Sequence, residues 1–280
     1  MRVPHSPRRD ARLARGGRDR MRVPPEIKRL ARRARMRAAA VVRRPFARAL
    51  NASGARFCPI CESRVRRFGP SGRPPRANAR CPVCRSLERH RLDWLFMARR
   101  TDLLDGAPRA MLHVAPEEFL SARFRRLAGL DYLSADLGRP RAMVRMDITN
   151  IDRPDATFDV IYCSHVLEHI ADDRKALAEL FRVLRPGGWA LLQVPVTAAR
   201  TEEDPGVVDP EERRRRYGQP DHVRRCGPDY AGRMTAAGFE VEVLRCADVA
   251  TEAEGERMGL PRDGIVFFCR KAPAKGGGRS

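Results

Sequence analysis

The sequence predicts an α/β fold, a mostly parallel sheet with helices on both faces, preceded by a small four-cysteine module and an arginine-rich tail. Three observations lead there. From about residue 105 onward, short apolar runs alternate with segments of helical spacing, the pattern of a parallel sheet whose crossovers are helices. Ahead of that alternation stand two Cys-x2-Cys pairs. Positive charge is confined to the front: residues 1–57 carry 18 Lys and Arg against 3 Asp and Glu, residues 58–100 carry 11 against 3, and the remainder carries 27 against 29. A chain of 280 residues accommodates one α/β domain of ordinary size plus a small appendage.

The elements follow in order. "RAMLHVA", from Arg109, is a short buried strand, and "EEFLSARFRRLAG" spaces Phe119, Leu120, Phe124 and Leu127 as a helix closed by Gly129. "LDYLSADL" is the second strand, "AMVRMDI" the third and "FDVIYCSHVL" the fourth. "DDRKALAELFRVLRPGG" places Leu177, Leu180, Phe181 and Leu184 on one helical face, starts with acidic residues and ends in Pro-Gly-Gly. "WALLQVPV" is the fifth strand, "GPDYAGRMTAAG" a late helix, and "FEVEVLRC" with "GIVFFCR" a final strand pair. Ligands of such sheets bind at the carboxyl ends of the strands.

Residues 1–55 alternate Arg with Ala, Gly and Pro and cannot bury enough apolar surface to offset their ordering entropy, so a mostly disordered tail is expected, with helix around "PEIKRLARRARMRAAAVV". Met21 is an alternative start within it, and residues 273–280 form a second disordered tail. The basic front suits a phosphate backbone such as RNA or an anionic membrane surface, with contacts that weaken in salt. Only four lysines are present, so the arginine excess is equally the mark of a GC-rich coding bias. No window approaches the roughly 20 apolar residues of a transmembrane segment, and no signal-peptide core is present, which predicts a cytoplasmic protein. Eight cysteines fit that compartment as ligands or reduced thiols.

Residues 56–100 read as a zinc module with a linking helix. Cys58-x2-Cys61 and, nineteen residues on, Cys81-x2-Cys84 supply the four soft ligands of a tetrahedral Zn2+ site, and four thiolates leave no open position, so the ion is structural. A proline after Cys58 and another after Cys81 make the halves alike. Between them Val65 and Phe68 stand amid arginines, a patch that reads equally as an RNA contact or a solvated loop. His90, within the helical "SLERHRLDWLFMARR", reads as a packing or hydrogen-bonding residue rather than a ligand. Cys163, Cys226, Cys246 and Cys269 have no ligand spacing and read as core thiols.

The run "MDITNIDRPDATFDVIYCSHVLEHIADDRKALAELFRVLRPGGWALLQVPV" resembles the central part of class I S-adenosylmethionine-dependent methyltransferases of the type 11 kind, over roughly residues 109–272 of a domain spanning 101–272. With the four cysteines, the chain resembles bacterial methyltransferases that carry an amino-terminal zinc ribbon, some of which modify ribosomal RNA guanine. The resemblance implies a Rossmann-like seven-stranded sheet of order 3-2-1-4-5-7-6 with the last strand antiparallel, and S-adenosyl-L-methionine as cofactor. It implies that Asp136 accepts hydrogen bonds from the cofactor ribose, that Asp147 meets the adenine amino group while Ile148 packs on the ring, and that Ser164 and His165 lie where methionine and substrate meet. The first turn departs from the family pattern, an acidic residue followed by Gly-x-Gly, and reads "HVAPEE". Ala115 is small, Pro116 suits a helix start, and Glu117 is placed to pair with the cofactor's amino group. S-adenosylmethionine has no pyrophosphate, so a phosphate-cradling glycine loop is not required. His165 and His169 stand four apart, but "HVLEH" puts Glu168 in the wrong slot for a zincin, and a structural or cofactor-orienting role is expected of them.

Methyl transfer from a sulfonium is an in-line displacement whose main requirement is positioning, with a base needed where the acceptor must lose a proton. The insertion after the fifth strand, "TAARTEEDPGVVDPEERRRRYGQPDHVRRCGPDY", has the length and polarity of an active-site lid. Within it His222, oriented by Asp221, is the first candidate base and His165 the second; the same cluster also reads as a solvated loop, and "EERRRR" as an exposed, salt-bridged helix. The expected function is methyl transfer to an acceptor that is a glycan, a small metabolite or RNA. The alternative is a non-catalytic zinc-ribbon nucleic-acid-binding protein with a degenerate methyltransferase domain.

Overall fold

The computed structural model describes residues 45, 47–50, 54–72, 74–138 and 142–274. The tail expected over residues 1–55, apart from the few positions just given, its helix, and residues 275–280 lie outside them. The described residues fall in one compact unit.

The four-cysteine module consists of two small hairpins, β1 (Arg56–Cys58) with β2 (Ser63–Val65) and β3 (Gly69–Ser71) with β4 (Arg76–Arg80), followed by helix α1 (Glu88–Arg100). Then come β5 (Arg109–Val114), α2 (Glu118–Phe124), β6 (Leu130–Asp136), β7 (Val144–Arg145), β8 (Phe158–Ser164), α3 (Asp173–Val183) and β9 (Leu184–Gln193). The insertion contributes β10 (Glu202–Glu203), α4 (Pro210–Tyr217) and β11 (Arg224–Arg225). The chain closes with α5 (Ala231–Ala236), β12 (Glu240–Arg245), α6 (Cys246–Val249), α7 (Glu252–Met258) and β13 (Ile265–Arg270).

Seven strands form one sheet in the order β12-β13-β9-β8-β5-β6-β7, parallel from β9 to β7, with β13 antiparallel to both neighbours. That is the expected order and direction. Because strand side chains alternate between faces, each strand feeds two cores. Met111, Val160, Leu191 and Phe268 join one apolar cluster with Trp94 and Phe96 of α1; Leu112, Ile161, Leu192 and Phe267 join the other with Leu177 and Leu180 of α3 and Met234 of α5. Helices therefore cover both faces.

Two elements are shorter than expected and one is longer. Helix α2 stops at Phe124, where Arg126 and Leu127 bond three residues back instead of four and the chain tightens into Gly129. The third strand is only Val144–Arg145. Pro186-Gly187-Gly188 does not close a helix but lies inside β9, which starts at once after α3 with a shift of register against β8. The end of α3 is instead capped by Lys271, whose Nζ donates to the carbonyls of Phe181 and Leu184 at 2.8 Å.

The four-cysteine module is continuous with one face of the sheet. Cys58, Val65 and Phe68 belong to the same apolar cluster as α1 and the strands, which corrects the reading of Val65 and Phe68 as an RNA contact or solvated loop. Phe68 lies under the Arg91 guanidinium, 4.0 Å from ring centre to Cζ. Arg91 is fully buried and donates to the carbonyls of Ala79 and Ser86 on the module and of Met258 and Gly259 at the end of α7. Such a guanidinium is tolerated inside only because its donors all find acceptors. Cys163, Cys226, Cys246 and Cys269 are buried.

Candidate functional site

The expected cofactor residues come together at the carboxyl ends of β5, β6 and β8 and beside β7. Ala115, directly after β5, has φ +50°, the left-handed conformation that favours glycine, and its N–H donates to Ala135 O at 2.8 Å. The turn thus keeps the backbone shape of a glycine turn with an alanine in it. His165, directly after β8, is also left-handed at φ +55°, with its N–H on Gln193 O at 2.9 Å. Two non-glycine residues held in this region at adjacent strand ends are the kind of strain that structures retain at functional sites.

Pro116 is buried and Glu117 is the N-cap residue of α2, although its carboxylate does not cap. It turns inward, with Oε2 3.0 Å from His113 Nε2 and Oε1 3.3 Å from His90 Nε2. Burial acts to raise its pKa, but the hydrogen bonds of His113 and then His90 prevail and hold it well below the ordinary carboxylate range. His113 continues to Tyr132 Oη at 2.9 Å, and Tyr132 donates to Ser121 Oγ. His90 accepts from Leu87 N–H through Nδ1, so its ring proton sits on Nε2, facing Glu117. The helix of the four-cysteine module thereby reaches the first turn of the sheet.

Asp136 ends β6 half-buried, its Oδ1 accepting from Gly138 N–H at 2.8 Å. Asp147 is exposed and accepts from both the N–H and the hydroxyl of Thr149 at 2.9 Å, which lowers its pKa, while Ile148 is buried beside it. Ser164 is buried, and its hydroxyl oxygen has no hydrogen-bond partner among the described residues.

After β8 the chain makes one 3-10 turn, Leu167–His169, onto which residues 219–225 of the insertion are fastened. Val223 N–H donates to Glu168 O at 2.9 Å. Arg224, 2% exposed, donates to the carbonyls of Leu167 and Ile170 at 2.6 Å and of Ala171 at 3.0 Å. Its charge is met by Glu203 at 3.0 Å and Asp173 at 3.4 Å, which Arg233 also holds. The hydrogen bonds of Arg233, ahead of those of Arg224, bring Glu203 down to about 2. So the segment is not a solvated loop; α4, as expected, is exposed and laced by Glu212–Arg216.

That clamp delivers His222 to the end of β8. His222 is 5% exposed, with Nδ1 3.1 Å from Tyr217 O and its ring packed edge-to-face on His169 at 4.6 Å. Burial lowers its pKa. Asp221 does not orient it; the Asp221 carboxylate lies 3.3 Å from His169 Nδ1 instead. Glu168, 1% exposed, has Oε1 3.3 Å from His165 Nδ1 and 3.9 Å from His169 Nε2. Sequence reasoning missed Glu168 as a member of the site, and it missed the Arg224 clamp. The available signal was a carboxylate set in the apolar run "VLEHI". A concavity lined by Asp102, Arg109, Asp159 and Trp189 lies at the opposite, amino ends of β5 and β8, away from these groups.

In the four-cysteine module, Cys58 and Cys84 Sγ are 3.7 Å apart and Cys61 and Cys81 Sγ 3.9 Å. A tetrahedron with Zn–S bonds of about 2.3 Å has edges of about 3.8 Å. The residue after each second cysteine, Glu62 and Arg85, is left-handed at φ +53° and +73°, so the two halves share a backbone as well as a spacing. Hydrogen bonds from Cys61, Cys81 and Cys84 lower Cys58, and that thiolate in turn raises Cys84 and Cys81. Four sulfurs at these separations match the donor set of a tetrahedral cation site.

Residues 116–192 match the family described as a methyltransferase domain. The chain is also 36% identical over 125 residues, 42% of its length, to a probable S-adenosylmethionine-dependent methyltransferase of Mycolicibacterium smegmatis, and 38% identical over 98 residues, 35% of its length, to a malonyl-(acyl-carrier protein) O-methyltransferase of Serratia marcescens. It spans 45% of the first relative and 31% of the second, less than half of each. Among solved structures, a 1,6-didemethyltoxoflavin-N1-methyltransferase of Burkholderia thailandensis aligns over 65% of this chain and 76% of its own at 17% identity, with a TM-score of 0.43. Among the described residues no helix is long and apolar enough to cross a membrane.

Proposed function

We propose that the protein is an S-adenosylmethionine-dependent methyltransferase. The observation that carries this reading is the left-handed Ala115 at the end of β5, with Asp136, Asp147, Ile148 and Ser164 following at or beside the next strand ends, in a segment that matches a methyltransferase domain. When bound, S-adenosylmethionine supplies a methyl group on an activated sulfur leaving group. The chain's own residues position it: Asp136 takes the ribose hydroxyls, Asp147 the adenine amino group, Ile148 the ring, and the Ser164 hydroxyl the methionine end. Ala115 and Pro116 let the backbone approach, and Glu117 provides negative charge toward the cofactor's amino group from beneath the turn. His222 and His165 are the two candidate bases for an acceptor that must lose a proton.

The four cysteines hold a structural Zn2+ in a ribbon over residues 56–100, in front of a methyltransferase domain over 101–272. A polyanionic acceptor such as RNA is favoured over a glycan or small metabolite by the exposed arginines of that ribbon, Arg64, Arg67, Arg76, Arg80 and Arg85 among them. Equilibrium titration with S-adenosylmethionine tests the reading: saturable binding is expected, and no binding at millimolar cofactor sinks it in favour of a non-catalytic nucleic-acid-binding protein. Glu117→Ala should weaken that binding, and an unchanged affinity removes the Glu117 assignment. Methylation of an RNA acceptor should fall steeply with salt, whereas flat salt dependence returns the acceptor to the small-molecule class.

A further inference from the structure

We propose that Glu168, His169 and His222 bind one divalent transition-metal cation, forming a second metal centre distinct from the four cysteines. One donor atom from each lies within 4.8 Å of the other two. A cation with bonds of about 2.1 Å would draw them to about 3 Å apart, a displacement within the reach of side-chain rotation.

Three features separate this cluster from an ordinary packing of polar groups. The first is the state of the rings. His222 Nδ1 meets the carbonyl of Tyr217 at 3.1 Å, and His169 Nδ1 meets the carbonyl of Asp221 at 3.2 Å. A carbonyl only accepts, so each Nδ1 carries the proton and each Nε2 of the neutral ring presents its lone pair. An imidazole tied to a carbonyl through one nitrogen and bare on the other is the arrangement metal-ligating histidines adopt. The second feature is what the lone pairs face. His222 Nε2 and Glu168 Oε2 are both buried without a hydrogen-bond partner among the described residues. A carboxylate 1% exposed and without a cation is costly. The nearby Arg224 is already committed to Glu203, Asp173 and three carbonyls. The third is rigidity: the Val223–Glu168 main-chain bond and the Arg224 clamp hold the two halves of the cluster together, though they come from sites 53 residues apart in the chain.

The donor set is two imidazoles and one carboxylate, which suits Mn2+, Fe2+ or Zn2+ and differs from the all-sulfur set of the ribbon. Three protein ligands leave positions for oxygen ligands, and the side chains of His165 and His169, 27% and 31% exposed, mark the route by which they enter. His165 Nδ1, 3.3 Å from the other Glu168 oxygen, orients the carboxylate from behind. With His222 Nε2 on the cation, removal of an acceptor's proton falls to His165. This use of the centre rests on the methyltransferase reading; the centre itself does not.

The test is titration of the full chain with Mn2+, followed by the electron paramagnetic resonance signal of free Mn2+, a cation with little affinity for the four thiolates. One Mn2+ is expected to bind per chain, with Glu168→Gln and His222→Gln each weakening it by at least about tenfold. Glu168→Gln also removes a buried charge that faces only imidazole rings, so its cation-free thermal midpoint should hold or rise, which separates lost ligation from lost folding. Free Mn2+ throughout the titration, or variants that bind as the wild type does, overturns the proposal. S-adenosylmethionine binding measured on the same sample keeps the two readings apart: cofactor binding without Mn2+ binding defeats the centre alone, and the reverse defeats the methyltransferase reading alone.

Discussion

Among the described residues, two clusters of side chains could hold a metal ion, and they are built in opposite ways. The four cysteines arrive as two local pairs, each on its own turn with a left-handed residue behind it, and the rest of the module folds around them. Glu168, His169 and His222 arrive as one local pair and one distant histidine, brought together by a buried arginine that donates to the backbone around the 3-10 turn. The first cluster is closed and all sulfur; the second is nitrogen and oxygen, at the end of the sheet where the insertion folds over. The first makes structure and the second is made by it, and so breaking them should have different consequences.

If the four cysteines hold zinc as proposed, removing it should have the largest effect. Structural zinc contributes on the order of 10 kcal/mol to the folding of small modules. Here the module shares its core with the sheet: Val65, Phe68, Trp94 and Trp189 are in one apolar cluster. Chelation or Cys81→Ser is therefore expected to lower the thermal midpoint of the whole chain in a single transition, followed by the fluorescence of Trp94 and Trp189. A separate early transition for the module, with an unaltered main one, would show that the shared core does not couple them.

Breaking the second cluster's clamp should cost less. Arg224→Gln leaves Asp173 buried with one cation fewer and frees the carbonyls of the 3-10 turn, and loss of one partner from a buried charge pair costs about 3–5 kcal/mol. Urea unfolding measures that loss. If the clamp positions His222, Arg224→Gln should also raise protease cleavage between residues 200 and 225 under native conditions; an unchanged cleavage rate would mean the insertion is held by other contacts.

This contrast also explains what the sequence made legible. The alternation of strands and helices, the two-faced core and the four cysteines follow from local periodicity and spacing, and the resemblance supplied the strand order and the order of the cofactor positions. The pairing of Arg224 with Asp173 and Glu203, and of both carboxylates with Arg233, is decided by how the insertion docks and has no local sequence signal. The spacing of His165 and His169 is read against a pattern that lies within one helix, and such a pattern cannot show that His222 of the insertion packs on His169. Likewise nothing local in α1 announces that His90 and Asp93 face the first turn and the middle of the sheet.

Asp93 offers a pH test of that connection between the two regions. It is buried, accepts from Tyr162 Oη at 2.8 Å, and burial pushes it up to about 7 from an ordinary 3.8. A raised folded pKa makes its contribution most favourable at acid pH and progressively lost as pH rises through about 7, because the unfolded chain ionises first. Asp93→Asn keeps an acceptor for Tyr162 and abolishes that slope. Its stability relative to the wild type should grow between pH 4 and pH 7.5 by on the order of a few kcal/mol in urea unfolding. Parallel profiles would place the Asp93 carboxyl in contact with water.

The smallest effect is expected at Ala115, where the first turn lacks the glycine of related folds. An alanine held at φ +50° carries a left-handed strain of about 1 kcal/mol that glycine does not. If the turn has kept the glycine conformation for a cofactor, Ala115→Gly should stabilise the chain by up to about 1 kcal/mol, less the entropy glycine gains when unfolded, and leave S-adenosylmethionine affinity equal or higher. A weaker affinity would mean that the alanine methyl touches the cofactor and that the departure from glycine is a contact, not a tolerated loss. Either outcome turns on one methyl group, because Glu117, His113 and His90 hold the turn from below in both variants.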